Sequence, residues 1–254
     1  MPLNKGRNIK RPARTGEVKI MKRICIIITF FFFVRVFAQT PDFTEKIRIP
    51  LWAELDAYPE LAEAQDTSSG QFDYPISRLK KTAPFLLNGM VYGWRFEYTP
   101  SDRLRGVAEY FNVEEINTIK EEDGPITYTK PWFENNRVYC WVEFTRTPQM
   151  IWTLKAWNSI QSKKIQGRGT GMIADGFDGI TNAANDALKN AVREHYRQIL
   201  KNKPKEIDGH VIIRRTPQIG INAGRYVVEL DFFLETDRIV KYTQFCAAQS
   251  GGLL

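Results

Sequence analysis

The feature that most constrains this chain is a helical pattern over residues 178–203 with a strand-like segment on each side. Ten apolar residues recur there at helical spacing and form one wide stripe. They are Ile180, Ala183, Ala184, Ala187, Leu188, Ala191, Val192, Tyr196, Ile199 and Leu200. Because four of the ten are alanines, the first part of the stripe can approach a sheet closely. The pattern therefore predicts a helix that is held by packing against strands.

The segments around this helix predict the class of the fold. Residues 164–173 predict a strand that leads into the helix, and strands at 207–215, 225–235 and 238–245 follow it. Pro217, Gly220, Asn222 and Gly224 predict a long hairpin loop between the first two of these. The order strand–helix–strand–strand is typical of an α+β protein, with mainly antiparallel sheets and helices packed on one face.

A similar order of elements is expected earlier in the chain. From Pro84 the pattern has a period of two, and an aromatic strand carries Tyr92, Trp94 and Phe96 on one side. A Thr-Pro helix entry at Thr99 then predicts a helix to about residue 111. Strands at 116–120, 126–130 and 138–145 follow, and Thr147 opens a second Thr-Pro helix.

These patterns divide the chain into five parts. Residues 1–38 form a leader and residues 39–83 an N-terminal arm, with short helices expected at 51–55 and 75–81. Two α+β units follow, at 84–163 and 164–246, and residues 247–254 are expected to be a disordered tail.

The leader explains why the whole chain is basic. The net charge is +7, but residues 1–38 contain nine basic residues and one acidic residue. The remaining residues contain 27 basic and 28 acidic side chains, so their net charge is −1. A nearly neutral body lacks the electrostatic surface that phosphates require, and we expect no nucleic-acid partner.

The same leader has the order of a secretory signal. A charged start at Met21 precedes an apolar run of 11 residues that begins at Ile24, and Val36-Phe37-Ala38 follow ahead of Gln39. The apolar run is shorter than the roughly 20 residues that span a bilayer. We therefore expect a periplasmic or otherwise exported protein whose true start is Met21. The alternative is an uncleaved leader, which would be the expected contact with a membrane.

Removal of the leader would leave two cysteines, Cys140 and Cys246. An exported protein can pair them in a disulfide. The alternative is an inert buried thiol at Cys140, because it shares the apolar side of a strand with Val138 and Val142.

Few residues are candidates for catalysis or for binding a metal or cofactor. The two histidines, His195 and His210, have no metal-ligand spacing with the cysteines, so neither a metal nor a cofactor is expected. The glycines of Gly167-Arg168-Gly169-Thr170-Gly171 lack the nucleotide-binding spacing and indicate close backbone contact. Glu229 and Asp231 share one side of a strand, so they could act as a catalytic acid and base. The alternative is that both carboxylates face solvent at an edge of the sheet.

Trp132 and Phe133 are the candidate contact surface. Five tryptophans lie between residues 94 and 157, and most of them suit a core. Trp132 and Phe133 are expected in a turn between strands, where their rings would be exposed. Packing in the core is the alternative for this pair.

The unit 165–234 resembles a small α+β module of bacterial envelope proteins. The resemblance rests on its Gly-rich strand, on the alanine-rich stretch 183–193 and on the two strands that follow. It is similar to the N-terminal domain of the flagellar T-ring protein and to related small outer-membrane lipoproteins. The resemblance implies an exported assembly part without catalytic activity.

Three functions remain open from the sequence. The first is an exported, non-catalytic cell-envelope protein that acts through protein–protein contacts. The second is a periplasmic hydrolase that uses Glu229 and Asp231. The third is a carrier of an apolar small ligand, which would bind the aromatic side of Tyr92, Trp94 and Phe96.

Overall fold

A computed structural model describes residues 45–55, 72–159 and 161–242. Within these residues the chain forms nine strands and three α-helices, which confirms an α+β protein. In order they are β1 (Lys46–Glu54), α1 (Asp73–Val91), β2 (Trp94–Thr99), β3 (Tyr110–Glu115), β4 (Thr127–Glu134), β5 (Arg137–Thr145), α2 (Pro148–Trp157), β6 (Lys163–Met172), α3 (Gly179–Ile199), β7 (Glu206–Ile213), β8 (Gln218–Asn222) and β9 (Arg225–Val240). The leader and the tail lie outside the described residues. No helix in the described part is long and apolar enough to cross a membrane.

The larger sheet has six strands, all paired antiparallel. Its order is β3-β2-β7-β9-β6, and β8 also pairs with β9. Strand β9 is long enough to pair with β8 through its first residues and with β7 through its later ones. The pairing of β2 with β7 places strands from both predicted units in one sheet.

Helix α3 packs on β6 and β9 through the predicted stripe. Eight of its ten apolar residues are buried, and all eight precede Arg197. A Cβ atom on Gly169 would lie well inside van der Waals contact of the backbone of Ala183 and Ala187. The Gly-rich strand therefore gives the helix room to approach, as the sequence indicated. Ile199 is an exception, because it is 57% exposed and faces a groove at the end of the helix.

The smaller sheet has the order β1-β5-β4 and covers helix α1. Alternate residues of β1 and β5 are buried on its inner side. They are Ile47, Ile49, Leu51, Ala53, Val138, Cys140, Val142 and Phe144. Helix α1 also contacts β7, so it lies between the smaller sheet and part of the larger one.

Two predictions for the first part of the chain were wrong. The helix expected at 51–55 is the end of strand β1, and the strand expected from Pro84 begins only at Trp94. The buried residues of α1 include Ala83, Leu86, Leu87, Met90 and Val91, which follow helical spacing. An apolar stripe of that spacing outweighs the period-two pattern expected from Pro84 onward. The short helix expected at 75–81 is part of the same helix.

The helix expected after Thr99 was also wrong. Asp102 caps a three-residue 3-10 turn at Arg103–Arg105, and Gly106 ends the turn with a left-handed φ of 67°. Residues 116–120 are not a strand, whereas the strand expected at 126–130 is β4. The second Thr-Pro entry is confirmed, because the Thr147 side chain accepts a hydrogen bond from the Met150 backbone N–H.

The strands near the C-terminus differ in detail from the prediction. Residues 225–240 form one strand instead of two. The exposed polar segment Glu235-Thr236-Asp237 only shifts the register with β7, since Thr236 pairs with Gly209 and Arg238 with Asp208, and pairing continues on both sides. The expected long loop contains the short strand β8, which a turn with Ala223 and Gly224 at positive φ joins to β9.

Candidate interaction site

The outer side of the smaller sheet carries a row of aromatic residues. Tyr139 on the central strand β5 lies opposite Trp52 on β1 and opposite Trp132 on β4. Trp141 follows two residues later on the same side of β5. Because side chains alternate along a strand, these four rings face away from the buried side that contains Cys140. We call Trp52, Trp132, Tyr139 and Trp141 the aromatic face.

The rings of the aromatic face contact one another. Trp132 stacks on Tyr139, with 5.1 Å between ring centroids and 14° between planes. The centroids of Trp52 and Tyr139 are 6.4 Å apart, and those of Trp132 and Trp141 are 6.2 Å apart. All four side chains are half-buried, so part of each ring remains open to solvent.

Arginines lie over the two ends of this face. The guanidinium carbon of Arg48 is 4.2 Å from the ring centroid of Trp141, and that of Arg137 is 4.1 Å from the ring of Trp52. Contacts of this kind are cation–π interactions. Lys46, at 2.6 Å, and Arg48 also hold Glu143, and the hydrogen bond from Lys46 is the largest cause of its lowered pKa.

One end of the aromatic face is anchored to the larger sheet. The Trp52 indole N–H donates to the carbonyl oxygen of Ile219 on β8, at 3.2 Å. The Trp52 ring also lies 6.3 Å from that of Tyr226, whose hydroxyl donates to Glu54 at 2.8 Å. These contacts fix the orientation of the Trp52 ring.

Trp132 and Phe133 both reach the surface, but in a strand and not in a turn. Both belong to strand β4, which pairs with β5 after an irregularity between Thr129 and Trp132. Phe133 is 60% exposed and points to the other side of the sheet, 5.7 Å from the ring of Phe72. Their role as a contact surface stays a prediction.

The sequence pointed to one member of the aromatic face and missed three. Trp52 was hidden by the wrong expectation of a helix at 51–55. Tyr139 and Trp141 could have been found, because a buried Cys140 places its two neighbours on the opposite side of the strand.

Cys140 itself lies under this face, among the buried residues. Burial raises the pKa of its thiol to about 11. Cys246 lies outside the described residues, so its pairing with Cys140 stays a prediction. A thiol with this pKa is almost entirely protonated at neutral pH and reacts slowly.

The candidate catalytic carboxylates are each held by arginine. Glu229 lies 3.5 Å from Arg168, and Asp231 lies 3.4 Å from both Arg214 and Arg215. Each carboxylate therefore already has a cationic partner within the protein. Among the described residues no three histidine, cysteine or acidic side chains are grouped in a way that could hold a metal ion.

The aromatic residues proposed for a carrier pack inside the protein. Trp94 and Phe96 are fully buried. Trp94 stacks on Phe85 with 4.8 Å between centroids, and Phe96 stacks on Phe111 at 6.2 Å. Tyr92 lies at the end of α1, where its hydroxyl donates to Asp123. These contacts fill the space that an apolar ligand would occupy.

Comparisons with known proteins place the chain in a family. A protein-family model matches residues 35–242, which is most of the chain. An uncharacterised protein of Treponema pallidum (strain Nichols) is 28% identical over 199 residues, which cover 78% of this chain and 83% of that protein. No solved structure gave a significant match. The chain belongs to the protein family whose model spans its residues 35–242.

Proposed function

We propose that this protein is an exported, non-catalytic part of the cell envelope that binds another protein through its aromatic face. The observation that carries the proposal is the contiguous row of Trp52, Tyr139, Trp132 and Trp141, with arginines at both ends. Tryptophan, tyrosine and arginine are the residues that most often dominate the energy of protein–protein binding.

The rigidity of the face supports this proposal. Trp52 is held by the bond to Ile219, and Trp132 and Tyr139 hold each other by stacking. Side chains that are already ordered lose little conformational entropy when a partner binds. A face of this kind is therefore suited to recognition.

The edge of the sheet next to the face offers further contact area. Strand β4 is an edge strand, and the exposed rings of Phe133 and Phe72 lie on its other side. Lys130, with a φ of 49°, and Pro131 interrupt this edge. Such residues prevent indiscriminate strand pairing, which favours binding through side chains.

Export is supported by the leader and by the charge of the rest of the chain. The resemblance of 165–234 to the envelope module agrees with this location. The expected mature N-terminus is Gln39, and N-terminal sequencing of the protein from its native host tests it. A cytosolic protein that retains residues 1–38 would contradict export.

The two alternatives receive less support. The carboxylates of Glu229 and Asp231 are paired with arginines, whereas a hydrolase needs at least one of them free to exchange a proton. The aromatic side of the proposed carrier is occupied by other rings of the protein.

The test is crosslinking in intact cells of the native host, followed by pull-down of the full chain. We expect the wild type to capture an envelope protein and the Trp132→Ala/Trp141→Ala variant to lose it. Loss of a dominant contact costs about 2 kcal/mol, or roughly 30-fold in affinity.

The matched control is Trp152→Ala. Trp152 is 66% exposed on α2, outside the aromatic face. This variant should capture the partner normally, and circular dichroism should show all variants folded. The proposal would be overturned if the wild type is recovered without any partner. It would also be overturned if the control variant Trp152→Ala loses the partner and the double variant keeps it.

A further inference from the structure

A rigid loop presents an exposed leucine between two arginines. The loop joins β2 to β3, and Leu104 at its tip is 96% exposed. The Asp102 carboxylate accepts hydrogen bonds from the backbone N–H groups of Leu104 and Arg105, and Asp102 and Val107 exchange backbone hydrogen bonds across the base. These hydrogen bonds fix the backbone of the loop, and the Leu104 side chain extends from it into solvent.

This loop forms one wall of an open groove of about 1260 Å³. The other walls are the end of helix α3 with the chain that follows it, from Ile199 to Pro204, and the end of strand β9 with Lys241 and Tyr242 after it. Ile199, Leu200, Ile239 and Tyr242 contribute apolar surface to it. We call it the basic groove, because its charged side chains are almost all positive.

Five basic residues and one acidic residue line the basic groove. The basic residues are Arg103, Arg105, Lys201, Lys203 and Lys241. The acidic residue, Asp102, is already bound by Arg105. The side chains of Arg103, Lys201 and Lys241 have no hydrogen bond or ion pair to any residue that the structure describes. A chain body with a net charge of −1 has thus collected unneutralised positive charge at one place.

A neighbouring cavity extends the positive region. It has a volume of about 450 Å³ and adds Arg193 and Arg197, with Glu109 as its acidic residue. Arg193 lies 3.9 Å from Glu109, and Arg197 lies 3.6 Å from Glu194, so both have local partners. The excess charge therefore belongs to the basic groove itself.

We propose that the basic groove docks on an anionic phospholipid membrane surface, with Leu104 entering the interface. Basic side chains near an anionic bilayer attract phosphate headgroups, and each apolar side chain that enters adds to the binding. Tyr242, over whose ring Arg105 lies at 4.3 Å, is of the type that settles at headgroup level. The sequence had led us to expect membrane contact only through the leader, and this surface adds a second one in the folded body.

Shape favours a membrane over a folded acidic partner. A leucine at the tip of a convex loop needs either a matching pocket or a deformable surface. Arg103 and Arg105 flank Leu104 in the chain, and Lys201 and Lys241 line the same groove. This arrangement allows the apolar tip to enter a bilayer while the cations stay at the level of the phosphates.

The test is hydrogen–deuterium exchange of the full chain with lipid vesicles. Vesicles of phosphatidylglycerol and phosphatidylcholine should slow exchange in residues 102–106 and 199–204, and vesicles of phosphatidylcholine alone should not. Protection should weaken as salt is raised. Because the readout is local, membrane binding through residues 1–38 cannot produce it.

Two triple variants make the test specific. Arg103→Gln/Lys201→Gln/Lys241→Gln should lose the protection. Lys80→Gln/Lys155→Gln/Arg225→Gln removes the same charge from exposed positions outside the groove and should keep it. Leu104→Ser should lose part of the protection, since it removes the apolar tip and leaves every charge in place.

Any of five outcomes would overturn the proposal. The groove segments stay unprotected although the protein binds vesicles, or the protein does not bind them. Phosphatidylcholine alone protects as well as the anionic mixture. A poly-glutamate peptide protects the groove where vesicles do not, which would assign it to an acidic protein. The groove segments exchange slowly in the free protein and exchange faster when residues 243–254 are deleted. This result would assign the basic groove to the chain's own C-terminus.

Discussion

The guanidinium group of Arg78 on helix α1 lies 3.2 Å from the carboxylate of Glu54, the last residue of strand β1. Arg78 is 2% exposed and also donates to the carbonyl oxygen of Gly176, at 2.9 Å. Its guanidinium carbon lies 4.7 Å from the ring centroid of Tyr226 on β9. One side chain thus connects the smaller sheet, helix α1 and the larger sheet.

Replacement of Arg78 should destabilise the fold strongly. We expect Arg78→Met to lower the free energy of unfolding by about 3 kcal/mol, because the Glu54 carboxylate would lose its cationic partner in a mostly buried site and keep only the hydrogen bond from Tyr226. Urea denaturation measures the change. Arg95→Met, at an exposed position on β2, is the control and should change stability by about 0.5 kcal/mol or less.

A double variant tests the same pair independently. Arg78→Met/Glu54→Gln should cost less than the two single changes added together, because the remaining buried charge is gone. Equal stability of Arg78→Met and the wild type would show that this ion pair does not hold the layers together.

The close packing of β6 on α3 gives a second prediction. Gly169→Ala should destabilise the protein by about 1–3 kcal/mol, because the added methyl group meets helix backbone that cannot move aside locally. Gly220→Ala on β8 is the matched control, because a Cβ there meets nothing within 4 Å. Thermal unfolding of both variants measures the change in stability. A Gly169→Ala variant as stable as the wild type would contradict the close contact between β6 and α3.

The contribution of the Asp102 hydrogen bonds to stability should depend on pH only in acid. The hydrogen bond from the Arg105 side chain, together with backbone N–H groups, holds the pKa of Asp102 below its usual value. A lowered folded-state pKa stabilises the protein above the unfolded value of about 4, and this contribution disappears as the pH falls through the folded value. Asp102→Asn should therefore be less stable than the wild type at pH 7.

The measurement is the difference in the free energy of unfolding between the wild type and Asp102→Asn as a function of pH. Denaturant titrations between pH 7 and pH 2.5 should show it constant above about pH 5 and smaller below about pH 4. A difference that grows in acid would contradict the assigned role of Asp102.

The parts of the fold that the sequence predicted are those with a local pattern. Helix α3 and its Gly-rich strand were predicted because alanines and glycines at fixed spacing lie within one stretch of chain. The second half of helix α1 was missed because residues 90–98 satisfy a period of two while residues 83–91 also satisfy helical spacing. Only the packing of Leu86 and Leu87 between two sheets selects the helix.

The aromatic face was beyond local pattern reading. It exists because Trp52 pairs across the sheet with Tyr139, which is far away in the chain. Register between distant strands is a tertiary property, and alternation within β5 could indicate only which side Tyr139 and Trp141 occupy. The basic groove likewise unites a loop after β2, the end of α3 and the end of β9.

The most direct test of the proposed function is a photo-crosslinking residue placed at Glu134 in the full chain, irradiated in intact cells of the native host. Glu134 is exposed on β4, two residues after Trp132 and on the same side of the strand, so this substitution keeps all four rings of the aromatic face. We expect a discrete adduct with an envelope protein from this position. The same residue at Tyr110, which is exposed on β3 away from the aromatic face, should give no such adduct. Monomer alone from position 134, or the same adduct from position 110, would contradict binding through the aromatic face.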